Sequence, residues 1–157
     1  MLLTRLKKGG ASSSLLYNKL EMEVSNMIPK FKAWDKYHEM MVSIISFDFE
    51  NKIAYVEQEN GDRYDIHFDN LIFLQSTGLK DKNGVEIFEG DVVKVSNHPF
   101  QKKEDSPGIE IDGNYFINWS EHSLTWLAGD LLLYQLKPYI EVIGNRFENP
   151  ELLVVEG

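Results

Sequence analysis

From Met27 onward the pattern is mostly strand, and segment after segment alternates apolar and polar positions with a period of two. That is the spacing of strands with one buried face. In KFKAWD (30–35), Phe31 and Ala33 alternate with charge while Trp34 falls on the opposite face. MMVSIISFDF (40–49) is rich in β-branched and aromatic residues, and Glu50-Asn51 provides a turn after it. KIAYVEQ (52–58) puts Ile53, Tyr55 and Glu57 on one face and Ala54 and Val56 on the other. ENGD (59–62) carries Asn-Gly, the strongest short hairpin signal, and RYDIHF (63–68) alternates Tyr64, Ile66 and Phe68 with Arg63, Asp65 and His67. NLIFLQ (70–75) holds a continuous apolar run, Leu71–Leu74, and fits a buried strand or a short helical turn.

GLKDKNGVEIFEGDVVKV (78–95) is denser in charge and glycine, yet backbone needs account for it. Asn83-Gly84 has the residue types of a type I′ turn, so Lys82 and Val85 are expected to begin paired strands. Gly90 in EGD (89–91) is expected to reverse or kink the chain, a conformation that a Cβ disfavours. Val93 and Val95 then face one side, Val92 and Lys94 the other. HPFQKKEDSPGIEIDG (98–113) reads as the longest loop, with two prolines and two glycines. NYFINW (114–119) and SLTW (123–126) read as strands around a turn at 120–122, and YIEVIGN (139–145) as a strand ending near Gly144. GDLLLYQL (129–136) fits a capped helix or a buried strand, and Asn149-Pro150 favours a turn. The sum is an all-β, antiparallel protein with few short helices and no internal sequence repeat.

Residues 1–26 follow another pattern. KKGGASSS is small and flexible, whereas SSSLLYNKLEMEVSNM predicts a short helix with Ser13 or Ser14 as N-cap and Leu15, Leu16, Leu20 and Val24 near one stripe. A second expectation is that Met27 is the natural start and residues 1–26 a translated leader. The division is therefore 1–26 as an extension and 27–157 as the β domain.

Composition narrows the class. With 43% hydrophobic and 12% aromatic residues in a chain of 157, a packed core is affordable without staples. The absence of cysteine removes disulfides, thiolate metal sites and a cysteine nucleophile, and suits a reducing cytoplasm. No apolar run approaches the roughly 20 residues that span a bilayer, and the N-terminus does not read as a signal peptide, so no membrane association is expected. Residues 1–26 hold Arg5, Lys7, Lys8 and Lys19 against Glu21 and Glu23, a net of +2. Residues 27–157 hold 12 basic and 23 acidic groups, a net of −11, which disfavours direct binding of nucleic acid.

No motif with chemistry of its own emerges. Asp81, Asn83, Glu86, Glu89 and Asp91 lack the spacing and closing glutamate of a calcium loop. His67 and Asp69 share a strand face as two metal ligands do, without an identifiable third. Ser120 and His122 have no nucleophile elbow around them, and GGASSS lacks the lysine of a phosphate loop. Neither a catalytic residue nor a cofactor or metal site is assigned. Trp119 and Trp126 flank an expected hairpin, and they are the candidate binding surface; the alternative is that each caps the edge of the core.

Three blocks nonetheless carry a likeness. IPKFKAWDK (28–36), LQSTGLKDKNGVEIFEGDVVKV (74–95) and EVIGNRFENPELL (141–153) resemble the hallmark blocks of the YopX family of phages and prophages of Gram-positive bacteria. The resemblance covers about residues 27–153, without a recognisable family motif in 96–138. It implies an all-β fold: N-terminal strands over about 27–76, then a small SH3-like barrel over about 77–157. It brings no catalytic residues. The expectation is a non-enzymatic phage accessory protein, a binding module that forms homo-oligomers or meets an unknown protein partner. One alternative is an acidic mimic of DNA that inhibits a basic host protein. Another is a metal-dependent hydrolase or nuclease using His67 and Asp69.

Overall fold

A computed structural model describes residues 10–27 and 30–153. Two compact units divide the chain, Met1–Lys30 and Phe31–Gly157. The first contains α1 (Gly10–Met27), a helix of 18 residues that already includes Ser13 and Ser14, so neither is the expected N-cap. Leu15, Leu16 and Leu20 are exposed on it. Arg5, Lys7 and Lys8, and residues 154–157 at the chain end, lie outside the described residues, as does the side chain of Val24.

The second unit is antiparallel throughout its named ladders. β1 (Phe31–Asp35), β2 (Met40–Asp48), β3 (Ile53–Glu57) and β4 (Arg63–His67) form a meander. A 3-10 turn (Phe68–Asn70) leads to β5 (Leu71–Lys80), which returns beside β1, and β6 (Glu86–Phe88) is added outside it. The order is β4-β3-β2-β1-β5-β6. Alternation places Ala33, Val42, Ala54, Val56 and Ile66 in one core cluster, with Phe47, Phe68 and Phe73 packed against it. NLIFLQ thus splits: Asn70 closes the 3-10 turn and Leu71 onward is strand. The expected division at 76/77 falls inside β5, whose first half pairs with β1 and whose second half pairs with β6.

The second sheet repeats the connectivity. β7 (Asp91–Val95), β8 (Gly113–Ser120), β9 (Thr125–Ala128) and β10 (Leu131–Leu132) form a meander. The helical turn α2 (Leu133–Leu136) and a 3-10 turn (Lys137–Tyr139) then lead to β11 (Ile140–Asn145) beside β7. The order is β10-β9-β8-β7-β11, and the two sheet edges are β10 and β11; closure into a barrel is not established by this pairing. Both sheets therefore follow one plan: four strands in a meander, a helical turn, and a fifth strand returning beside the first. GDLLLYQL satisfies both sequence readings in part, as a two-residue strand and then one helical turn. Ile87, Val93, Val95, Ile117, Leu133 and Ile140 form the second core. Val92 and Val93 are both fully buried, so β7 is covered on both faces there.

The turn at 81–84 is not type I′. Gly84 alone has a positive φ, 81°, while Asp81 and Gly84 close the turn through a 3.0 Å N–H···O bond. The Asp81 carboxylate accepts the N–H groups of Asn83 (2.8 Å) and Val85 (2.9 Å). That local bonding stabilises a type I turn closed by one left-handed glycine. Gly61 ends the β3–β4 hairpin in the same way, with a φ of 90°.

Candidate functional site

The three family-like blocks meet in space. Trp34 of the first stacks on Phe147 of the third, with ring centroids 5.5 Å apart and planes 16° from parallel. Gly90 of the second lies beneath the same ring; a Cβ there would stand 3.3 Å from Phe147. Gly90 also donates to Ile117 O (2.9 Å) and accepts from Arg146 N (2.9 Å). Lys32 Nζ sits 4.3 Å from the centre of the Phe88 ring, a cation–π contact between the first and second blocks within the first sheet. Asn145 ties down the third block: its Oδ1 accepts from the backbones of Phe147 (3.0 Å) and Glu148 (2.9 Å). Trp34, Gly90 and Phe147 join the two sheets, and none of these residues presents a nucleophile with a base beside it.

Asp81 is the electrostatic centre of the junction. Besides its own turn, its carboxylate accepts Val142 N–H at 2.9 Å, and Lys82 N donates to Ile140 O at 3.0 Å. Burial opposes its charge, but the hydrogen bonds from Val142, Val85 and Asn83 and the adjacent Lys82 prevail and hold the carboxyl below its ordinary value. Asp91 behaves in the opposite sense. Burial pushes it up to about 6, against the Phe88 N–H (2.8 Å) and the charge of Lys32.

Trp119 and Trp126 are brought together. They face each other across β8 and β9, with ring centroids 5.2 Å apart and planes at 69°. Both continue the face that holds buried Ile117 and Ala128, at the end where that face opens to solvent. Trp126 packs against the core, whereas Trp119 is 44% exposed. Leu124, 74% exposed, immediately precedes β9 and adds to an apolar hairpin tip. The core-capping reading thus fits Trp126 and the surface reading fits Trp119.

His67 and Asp69 form only a local pair. His67 Nδ1 lies 3.4 Å from Asp69 Oδ2 and accepts the Asp69 N–H at 3.2 Å. Among the described residues no group of three or more His, Cys, Asp or Glu side chains is arranged to hold a metal ion.

The arrangement that sequence reasoning missed is centred on Asp35. This fully buried carboxylate accepts the backbone N–H groups of Tyr37 (2.8 Å) and His38 (3.0 Å), His38 Nδ1 (2.6 Å) and the Tyr64 hydroxyl (2.6 Å). Burial opposes its charge, but these bonds outweigh it and hold the carboxyl below its usual value. Tyr64 is pushed up to about 12 by burial and by Asp35, so it stays a donor. In sheet order β1 and β4 are three strands apart. A flat sheet would separate them by about 14 Å, so the Tyr64–Asp35 bond requires a strongly curved first sheet. The only sequence signal was the buried phase of Asp35, in register with Phe31 and Ala33.

A groove of about 690 Å³ runs beside the junction, lined by Lys32, Met41, Glu57, Glu59 and Glu148 among others. Glu57 is bonded by Arg63 Nε at 3.0 Å. No helix among the described residues is long and apolar enough to cross a membrane.

No curated protein matches the chain. The crystal structure of protein EF1440 from Enterococcus faecalis is similar: 34% sequence identity, covering 81% of this chain and 99% of that one, with a TM-score of 0.49. The model of the YopX protein family matches residues 30–154, a span that takes in β1, the Asp81 turn and the Asn145 turn. Trp34, Gly90 and Phe147 of the junction all lie within that span, and the chain belongs to the YopX protein family.

Proposed function

We propose that the protein is a phage or prophage accessory protein without catalytic chemistry, acting as a binding module that self-associates. One observation carries this reading: the apolar tip of the β8–β9 hairpin, where Trp119 and Leu124 stand exposed beside Trp126. Exposed tryptophan with its ring edge-on to a second ring is characteristic of protein contact surfaces.

Three of the four sheet edges offer little to a partner. β11 is covered where Lys82 N bonds Ile140 O and Asp81 bonds Val142 N. β6 and β10 have three and two residues, too short to template a stable ladder. That leaves the aromatic tip and the edge of β4, five residues long, as the remaining contact surfaces. Light scattering at increasing concentration tests the reading. The expected mass is at least twice the 18.2 kDa of one chain, falling to one chain in Trp119→Ser. A wild-type protein that stays monomeric at high micromolar concentration overturns it.

A further inference from the structure

The open side of the curved first sheet holds a second concavity, away from the tryptophan tip. It measures about 280 Å³ and lies between the β1–β2 turn, β4 and the 3-10 turn, with Tyr37, His38, Tyr64, Asp65, His67 and Asn70 among its lining residues. Its walls are rings set at steep angles. Tyr37 meets His38 at 4.8 Å and 83°, and His38 meets Tyr64 at 5.1 Å and 65°. Three rings so placed form a corner, not a stack, and Tyr37 is 78% exposed at its mouth.

The electrostatics of this corner have one sign. Behind His38 and Tyr64 lies the buried Asp35 carboxylate, and Asp65 stands exposed on the lining itself. Asp69 adds a third carboxylate next to His67, and no lysine or arginine lines the concavity. With Nδ1 committed to Asp35, the His38 ring has only Nε2 to offer a further partner. Aromatic faces and carboxylates favour positive charge and disfavour an anion. The volume falls just under the roughly 300 Å³ at which small-molecule pockets begin, so it suits one side chain. A guanidinium is the cation that stacks on an exposed tyrosine while sharing its N–H groups between a carboxylate and an amide oxygen.

We propose that this corner receives an arginine side chain of a protein partner, with Tyr37 stacking on the guanidinium and Asp65 and the Asn70 amide oxygen accepting its N–H groups. The site is independent of self-association, because Trp119 and Trp126 lie in the other sheet. An NMR titration of the full chain with acetyl-Gly-Arg-Gly-amide, and with its citrulline counterpart, tests it. The arginine peptide is expected to saturate at millimolar concentration and to shift the imidazole protons of His38 and His67. The citrulline peptide, of similar shape but uncharged, is expected not to do so. Tyr37→Ala should weaken the arginine peptide about fivefold with the dispersed amide spectrum retained, since Tyr37 is exposed. Asp65→Asn should weaken it as well. The absence of saturable shifts, equal binding of citrulline, or unchanged affinity in Tyr37→Ala each overturns the proposal. Shifts confined to the hairpin tip at Trp119 overturn it too.

Discussion

Asp35, Asp81 and Asp91 are three buried aspartates in one fold, and their surroundings give them opposite behaviour. Asp35 and Asp81 accept several hydrogen bonds each, which outweigh burial, whereas Asp91 accepts one from Phe88 and is pushed up to about 6. The sign of the pH effect follows. Because the folded state holds the Asp91 proton more tightly than the unfolded chain, this group's contribution to stability falls as pH rises from about 4 through 6. Asp35 and Asp81 act in reverse: their contribution is present above the ordinary carboxylate range and is lost as acid titrates the folded carboxylates. Asp91→Asn keeps an acceptor for Phe88 N–H and removes the charge. Urea midpoints should show this variant gaining on the wild type by about 2 kcal/mol more at pH 8 than at pH 4. An equal difference at both pH values would mean that the Asp91 charge is already well compensated by Lys32.

At the scale of elements, the turn at Asp81 does more than reverse the chain, since its carboxylate also holds β11 through Val142. Asp81→Ala leaves three backbone N–H groups without their acceptor, a loss on the order of 3 kcal/mol. Denaturation would read that loss, and hydrogen exchange would show the Val142 amide losing protection. A loss confined to Asn83 and Val85 would place the carboxylate's role within the turn alone. Most strands were legible from period-two alternation, as at Ile53–Glu57 and Arg63–His67, because one face of each is buried. The turn form at Asn83-Gly84 was not legible, since it depends on where the Asp81 side chain points. The shared plan of the two sheets was hidden for another reason. Its first connection is four residues in one sheet (36–39) and seventeen in the other (96–112), so no repeat survives in the sequence. The candidate surface was half legible: Trp119 and Trp126 could be paired from a hairpin, but the Asp35 corner needs the curvature that carries β4 across to β1.

For the whole molecule, the question is whether two sheets of the same plan behave as one body or two. Residues Phe31–Gly157 form one compact unit, and the contacts that join the sheets involve Trp34, Gly90 and Phe147. Glu89 and Gly90 alone separate β6 of the first sheet from β7 of the second, so the chain offers no linker at which one sheet could open alone. Unfolding should therefore be a single transition. Far-ultraviolet dichroism and tryptophan fluorescence, which reports Trp34 at the junction and Trp119 and Trp126 in the second sheet, should give coincident curves. A double-mutant cycle on Trp34→Leu and Phe147→Leu should return a coupling of about 1 kcal/mol, with both single variants still unfolding in one step. Two resolved transitions in the wild type would show that the sheets are separate folding units. A coupling near zero would move the work of joining them from the ring stack to the short β6–β7 connection and the Asp81 turn.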